Sequence, residues 1–277
     1  MELAVDNQSQ QIPLSFSERL LASGKRFLIS PRWIAFLLLL LIWQVVASIM
    51  NTRAVPLPAK VAQVMWQAVA SGEFFVQLAA SMTRILTGFA ATVVVGTIVG
   101  VVMGSRRTWE SFFKDAVVLG LTMPGLIYAL LGVMFFGLNL LAPVSAILFG
   151  SYPFVAVNIR EGVHSLDKDL LDMSRSYKIS RMKVIRQVIL PSLLPFFLAA
   201  VRTAFAIAWK ISTLVEVFGA VNGVGYMIRS AFDAFSVAGI AAWSFLFGGV
   251  MLAIEYGILM PAERRLARWR PKVGRVI

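Results

Sequence analysis

The sequence predicts an all-α membrane protein with six transmembrane helices and with both termini in the cytoplasm. Of its 277 residues, 58% are hydrophobic and only 14% are charged, and the mean hydropathy is +0.79. Apolar runs recur near the length of about 20 residues that a helix needs to cross a bilayer. Lysine and arginine gather in alternate connecting segments, as the positive-inside rule requires for this orientation.

The predicted transmembrane domain, residues 33–260, contains six apolar runs. They cover about residues 33–50, 85–103, 116–136, 141–157, 195–218 and 238–260. Residues 1–32 form a polar N-terminal tail, and residues 261–277 form a basic C-terminal tail. The first run lies too deep in the chain for an ordinary secretory signal, so we expect it to be retained.

The formal net charge of +12 follows from this topology. Twenty of the 26 lysine and arginine residues fall in the four segments predicted to be cytoplasmic. A basic charge distributed in this way orients a membrane protein. It therefore predicts a lipid bilayer around the chain and no nucleic-acid partner.

No group of residues typical of an enzyme or a metal site is present in the sequence. The chain has no cysteine, which excludes thiol catalysis and cysteine-based metal sites. His164, the one histidine, has no paired carboxylates at ligand spacing, so a solvated loop histidine is favoured over a metal ligand. No phosphate-binding G-x-x-x-x-G-K-[ST] segment occurs. Any ATP that drives this protein must be hydrolysed by another chain.

Glycines in the second span are spaced for close helix packing. Gly96, Gly100 and Gly104 recur every four residues, and small residues at this spacing let another helix approach closely. We therefore predict that they serve packing and bind no ligand.

The third span contains Pro124 followed by Gly125, and we predict a break there because proline lacks a backbone donor. Inside a bilayer such a break persists only where protein or water satisfies the freed carbonyl. The segment 122–128 is therefore a candidate for lining a translocation path, with Thr122, Pro124 and Tyr128 as its candidate residues.

The fifth span carries three ionisable residues, Arg202, Lys210 and Glu216. An ionisable residue within a span is a functional hypothesis by default. Arg202 and Lys210 lie within about 80° of each other on a helical wheel, so both can face one interior as a cationic wall for an anionic solute. The alternative, which we favour, is structural: Arg202 extends to the inner surface and Lys210 pairs with Glu216 or with a neighbouring helix.

The basic loop of residues 160–191 separates the fourth and fifth spans. Within it, apolar residues at helical spacing predict two short amphipathic helices: Leu170, Met173 and Tyr177 in the first, and Met182, Ile185 and Ile189 in the second. Ser180 is a candidate N-cap for the second helix. Pro191 and Pro195 are predicted to mark where the chain turns back towards the membrane.

This loop resembles the EAA loop of the permease subunits of ABC importers, whose pattern is EAA, three residues, Gly, nine residues and I-x-LP. The matching positions here are Asp172, Met173, Ser174, Lys178, Val188, Leu190 and Pro191. The resemblance implies that the loop docks into a groove on a cytoplasmic ATPase. It implies contacts from Leu171, Asp172, Met173, Ser174, Tyr177, Lys178 and Ser180. A basic amphipathic segment could instead lie on anionic lipid headgroups.

Two residues of this loop allow a more local interpretation. Asp172 and Arg175 are three residues apart, a spacing at which an ion pair contributes roughly 0.2–0.5 kcal/mol to a helix. Lys178 stands where the family has glycine. If the turn needs a left-handed residue there, an ordinary side chain costs about 1–2 kcal/mol; either the turn differs or the strain is tolerated.

The resemblance extends over about residues 54–270 and is similar to the importer permeases for nitrate, taurine and aliphatic sulfonates. It is carried by Leu57, Pro58, Ser81, Arg84, Gly88, Phe89, Phe136, Gly137, Arg202, Trp209, Glu216, Gly223, Gly225, Glu263, Arg264, Arg265 and Trp269. The resemblance implies a type I ABC importer permease of MetI-like fold in the bacterial inner membrane. Such a subunit moves a small, anionic organic solute from an extracytoplasmic binding protein into the cytoplasm by alternating access.

The same resemblance implies the partners. They are a second permease subunit, expected to be an identical copy, two cytoplasmic ATP-binding subunits and the binding protein. No cofactor is expected on this chain, because ATP and Mg²⁺ belong to the ATPase. The main alternative is an autonomous secondary carrier or channel, for which internal repeats and proton-relay residues would be expected. Glu216 and Glu255 are the only carboxylates near membrane depth, and no repeat is evident. A membrane-bound enzyme and a purely structural subunit have still less support.

Overall fold

A computed structural model describes residues 31–50 and 54–266, and these residues form ten helices with no strand. The helices are α1 (Pro31–Met50), α2 (Pro58–Ala70), α3 (Glu73–Ser105), α4 (Arg107–Thr122), α5 (Gly125–Phe136), α6 (Leu141–His164), α7 (Lys168–Ser176), α8 (Arg181–Gly219), α9 (Val224–Asp233) and α10 (Val237–Leu266). The predicted N-terminal tail, apart from the start of α1, and the predicted tail beyond Leu266, which includes Trp269, lie outside the described residues.

The chain divides into two units, residues 1–59 and residues 60–277. In the first unit, α1 is mostly apolar. The indole N–H of Trp43 donates to the carbonyl of Pro56 at 3.1 Å, which ties the segment after the helix back to its middle.

The second unit is built around α3, α6 and α8. The close approach of α3 to α6 depends on the glycines of α3. A Cβ atom on Gly96 would lie 2.5 Å from Cβ of Val155, and one on Gly100 would lie 2.7 Å from the carbonyl oxygen of Ala156. Only glycine fits at such separations. The predicted packing role of the second-span glycines is confirmed.

The break predicted in the third span is present and sharp. Helix α4 ends at Thr122, α5 begins at Gly125, and the two axes differ by 100°. Pro124 has no N–H to donate to the carbonyl of Gly120, four residues earlier. The hydroxyl of Tyr128 donates to that carbonyl at 3.1 Å. Tyr128 therefore replaces the hydrogen bond that proline removes.

Four helices of the described chain, α3, α6, α8 and α10, are long and apolar enough to span a membrane, and the bent pair α4–α5 would be a fifth span. The apolar part of α1, Ile34–Met50, is shorter. Counting α1 would bring the number to six, so the six-span count and the cytoplasmic termini stay predictions. Helix α3 begins at Glu73, well before the predicted start of its span at residue 85.

Helix α8 corrects one prediction. The chain neither ends a short helix nor turns at Pro191, because a single helix runs from Arg181 to Gly219. A π-helical segment, Ile185–Ile189, comes just before the proline, and the N–H of Leu190 donates to the carbonyl of Ile185 across it. This wider turn changes the hydrogen-bond register where proline supplies no donor. The predicted second amphipathic helix is therefore the first part of a long span.

Candidate functional site

The loop between α6 and α8 is ordered by a cap at each end of α7. At the N-terminus, the Asp167 side chain accepts hydrogen bonds from the N–H groups of Asp169, at 2.9 Å, and of Leu170, at 3.3 Å. An aspartate in this position satisfies donors that have no partner within the helix, and its charge suits the positive end of the helix dipole.

The C-terminal end of α7 is a Schellman motif centred on Lys178. The N–H of Ile179 donates to the carbonyl of Ser174, and the N–H of Lys178 donates to that of Arg175, both at 3.0 Å. Lys178 has a φ of 53°, the left-handed conformation that glycine normally supplies at this point. The turn is therefore kept, and the strain of about 1–2 kcal/mol is tolerated.

Ser180, Asp172 and Ser174 were also predicted as contact residues of this loop. Ser180 occupies the N-cap position of α8, but its side chain makes no capping hydrogen bond. Asp172 and Arg175 form the expected ion pair at 3.0 Å, with side chains 68% and 80% exposed. Ser174 is buried, and its hydroxyl donates to the carbonyl of Leu171 at 2.7 Å. The Asp172 carboxylate therefore stands at the surface, held by a weak and well-solvated pair.

Large apolar side chains of the loop are exposed together. Tyr177 is 76% exposed and Met182 is 69% exposed, and Leu170, Met173, Ile179 and Ile185 are exposed as well. A groove of about 630 Å³ separates α7 from the start of α8, lined by Leu171, Ser174, Arg175, Ile179, Arg181, Val184, Ile185 and Ile189. An apolar surface with a charged rim is typical of a docking site for a protein partner.

Glu216 lies at the centre of a buried hydrogen-bond network. It is completely buried, accepts from the hydroxyl of Ser81 at 2.7 Å and from the N–H of Gly225 at 2.9 Å, and pairs with the guanidinium of Arg84 at 3.0 Å. The predicted pairing of Lys210 with Glu216 is wrong, because Arg84 of α3 already fills that role.

The turn between α8 and α9 folds around this ion pair. Gly223 has a φ of 104°, and a Cβ atom there would lie 2.5 Å from the Oε2 atom of Glu216. Its N–H donates to the side-chain oxygen of Gln77 at 2.7 Å, and the next N–H, of Val224, donates to the hydroxyl of Ser81 at 2.9 Å. Sequence reasoning missed Gln77, whose spacing of four residues before Ser81 on one helix face was the available signal.

Arg202 is joined to α10 by two ion pairs. Its guanidinium contacts Glu255, whose side chain is 15% exposed, and Glu263, at 3.3 Å. Glu255 begins a π-helical segment, Glu255–Leu259. Arg202 therefore has two carboxylate partners on α10, which the predicted extension of its side chain to the inner surface did not include.

The remaining predicted path residues lie apart from these ion pairs. Lys210 is exposed and has no ion-pair partner among the described residues. Thr122 and Pro124 are exposed at the bend between α4 and α5, where the Thr122 hydroxyl donates to the carbonyl of Leu119 at 3.0 Å. Tyr128 is half-buried and fixes the bend.

Comparison with known proteins identifies the family of this chain. Residues 92–260, more than half of the chain, match the family of the binding-protein-dependent transport system inner membrane component. The chain belongs to this family. The matched region contains α7, its Schellman turn and the whole of α8. No catalytic role is expected of such a permease.

Two relatives show the branch. SsuC of Bacillus subtilis, a permease named for aliphatic sulfonates, is 27% identical over 236 residues, covering 83% of each chain. The taurine transport system permease protein TauC of Escherichia coli is 28% identical over 242 residues, covering 85% of this permease and 88% of TauC. This permease is therefore a multi-pass protein of the bacterial plasma membrane, in the nitrate, taurine and sulfonate branch.

A solved structure supports the fold. An inward-facing form of the MetNI methionine ABC transporter matches 67% of this chain and 92% of its own, with a TM-score of 0.59 and 16% sequence identity. At this identity the likeness shows the fold alone. It supports the expected MetI-like fold.

Proposed function

We propose that this permease couples ATP hydrolysis on a partner ATPase to the import of a small anionic organic solute of the nitrate, sulfonate and taurine class. The complete importer contains a second copy of this chain, two cytoplasmic ATP-binding subunits and an extracytoplasmic binding protein. Because one chain supplies few spans, a path between two copies is the natural assembly. ATP and Mg²⁺ are held by the ATPase.

The exposed apolar surface of α7 is the observation that carries this proposal. Tyr177, which caps the C-terminus of α7, is 76% exposed, and a groove of about 630 Å³ lies between α7 and the start of α8. Large exposed apolar groups of this kind are typical of a surface that a partner covers. The Schellman turn at Lys178 fixes the angle at which α7 is presented. The relatives' membership of ABC importers favours an ATPase as that partner over a lipid surface.

Alternating access follows from two-state behaviour of the assembly. Closure of the ATPase dimer on ATP would bring the two α7 helices together and tip the spans from inward-facing to outward-facing. Helix α8 begins at Arg181, directly after the docking turn, and runs without interruption to Gly219. A displacement of the loop is therefore passed to a span that crosses the membrane.

Co-purification from native membranes tests the docking surface. The double variant Tyr177→Ala, Asp172→Lys removes an exposed aromatic ring and reverses a surface charge, so we expect the P-loop ATPase to be lost while the permease still folds. Phe235→Ala is the control, because Phe235 is equally aromatic, is 88% exposed and follows α9 instead of α7.

The result distinguishes an ABC importer permease from an autonomous carrier. An ATPase that accompanies wild type and Phe235→Ala but not the double variant supports the proposal. A permease that purifies alone, and that moves taurine or nitrate into vesicles without ATP, would be an autonomous carrier, and the proposal would be wrong. An ATPase retained by all three proteins would place the docking surface elsewhere.

A further inference from the structure

Three basic residues lie on the core helices α3 and α8, and they differ in their ion-pair partners. Arg84 pairs with the buried Glu216. Arg202 pairs with Glu255 and with a second carboxylate on α10. Lys210 alone of the three has no carboxylate partner among the described residues, and its side chain is exposed.

The position of Lys210 along α8 gives its depth. It lies nine residues before the helix ends at Gly219, which is about 14 Å along the axis. The hydrocarbon core of a bilayer is about 30 Å thick, so with Gly219 taken as the edge of that core Lys210 lies close to mid-depth. A lysine side chain at that depth is too far from either surface for its ammonium group to reach the headgroups easily.

The face of α8 that carries Lys210 differs from its buried face. The buried side packs apolar residues such as Ala204, Ala208, Ile211 and Val215 into the core. On the Lys210 side, Ala199, Thr203, Ala206 and Thr213 are small or hydroxylated, whereas the larger Ile207 and Leu214 pack against the core. A charged side chain at mid-depth faces protein or a water-filled cavity instead of lipid. The short side chains of Ala199, Thr203, Ala206 and Thr213 are compatible with such a cavity.

We infer that Lys210 lines the translocation path and supplies the uncompensated positive charge that favours anionic solutes. The inference rests on the proposed function, because the path is the one between two copies of the permease. In that assembly the symmetry axis would bring two Lys210 side chains to one aqueous path. An anion entering it meets charge that no carboxylate of the described chain neutralises, whereas Arg84 and Arg202 are already neutralised.

The absence of cysteine from the natural sequence allows a direct test in the assembled importer. A single cysteine at Ala206, one turn before Lys210, would face the same path. We would measure its reaction rates in native membrane vesicles with two water-soluble methanethiosulfonates of similar size, one anionic and one cationic. The rates would be compared in three backgrounds: Lys210, Lys210→Gln and Lys210→Arg.

We expect the anionic reagent to be favoured when position 210 is Lys or Arg. Side chains one turn apart are separated by about 6 Å; at that distance, in a water-like medium, a unit charge changes the ratio of anionic to cationic rates roughly tenfold. The Lys210→Gln change should remove that factor. A single cysteine at Ser230, exposed on α9, is the control, and its ratio should be the same in all three backgrounds.

Two results would overturn the inference. A cysteine at Ala206 that reacts with neither reagent would mean that this face is covered by lipid or protein. A reactive cysteine whose rate ratio is unchanged by Lys210→Gln would mean that a carboxylate of the partner copy neutralises the lysine. Neither result depends on ATPase co-purification with wild type, so failure of this inference and failure of the proposed function can be distinguished.

Discussion

Substitution of Gly223 tests the buried ion pair at the end of α8. In Gly223→Ala, the new Cβ atom would lie 2.5 Å from Oε2 of Glu216 and 2.7 Å from Nη1 of Arg84. Both partners must move, and Glu216 is completely buried with a hydrogen bond to each of its oxygens. The substitution therefore acts on the charged pair as well as on the backbone.

The magnitude follows from two contributions. An alanine at the φ of 104° and ψ of 168° that Gly223 has, a conformation that is essentially limited to glycine, costs about 1–3 kcal/mol. Breaking a buried ion pair costs about 3–5 kcal/mol when one charge is left uncompensated, and a partial displacement costs less. We expect Gly223→Ala to lower the free energy of unfolding by roughly 3–6 kcal/mol.

Substitutions of two other glycines serve as controls for the backbone contribution. Gly72 has a φ of 77° and open space around its Cβ position, whereas Gly248 has open space and lies inside a helix. Gly72→Ala should therefore show only the backbone term of about 1–2 kcal/mol. Gly248→Ala should be neutral or should stabilise by up to about 1 kcal/mol, because alanine favours a helix.

The assay is unfolding of purified permease in mixed micelles by titration with a denaturing detergent, followed by tryptophan fluorescence. Gly72 lies in the left-handed α region and Gly223 does not, so their backbone costs differ by up to about 1 kcal/mol. Destabilisation by Gly223→Ala beyond Gly72→Ala and this difference reports the effect on the ion pair. If Gly223→Ala is no more destabilising than Gly72→Ala, the close approach of Gly223 to Glu216 and Arg84 is not what holds the turn, and the reasoning is refuted.

Three further changes can be measured in the same assay. Lys178→Gly should stabilise by up to about 1 kcal/mol, because the relief of left-handed strain exceeds the extra freedom of unfolded glycine; a loss of stability would contradict the Schellman assignment. Arg202→Gln should destabilise the fold by about 1–2 kcal/mol. This is less than the loss of a fully buried pair, because Arg202 is 44% exposed while Glu255 is only 15% exposed. An unchanged free energy of unfolding would mean that the pair does not contribute to stability. Gly100→Ala should destabilise by about 1–3 kcal/mol, because its Cβ would lie 2.7 Å from the backbone carbonyl of Ala156; a stabilised variant would show that α3 and α6 separate freely.

Local patterns in the sequence predicted the features that depend on neighbouring residues. The bend at Pro124 and the packing glycines of α3 follow from the chemistry of proline and glycine, whatever surrounds them. The first amphipathic helix of the loop follows in the same way from apolar spacing. Such features could be predicted because a few consecutive residues determine them.

Features that depend on distant residues were not predictable in the same way. Whether Glu216 pairs with Lys210, on its own helix, or with Arg84, 132 residues away, is decided by the packing of α3 against α8. The continuation of the helix through Pro191 was missed for a different reason. Proline favours a helix break because it has no backbone N–H to donate. A π-helical turn can accommodate the proline, but the hydropathy pattern of the sequence does not reveal such a turn.

The Schellman turn, Lys210 and Glu216 follow one another along α8, and this order predicts which part of the helix moves. The Schellman turn at Lys178 precedes its first residue, Lys210 lies nine residues before its end, and Glu216 joins that end to α3 and to the Gly223 turn. A helix fixed firmly at one end and moved at the other must pivot, and its largest displacement then falls near the loop. The π-helical segment Ile185–Ile189 lies between the Schellman turn and Lys210 and departs from regular α-helical hydrogen bonding. We therefore expect a rigid outer half that keeps Lys210 in place and an inner half that follows the ATPase.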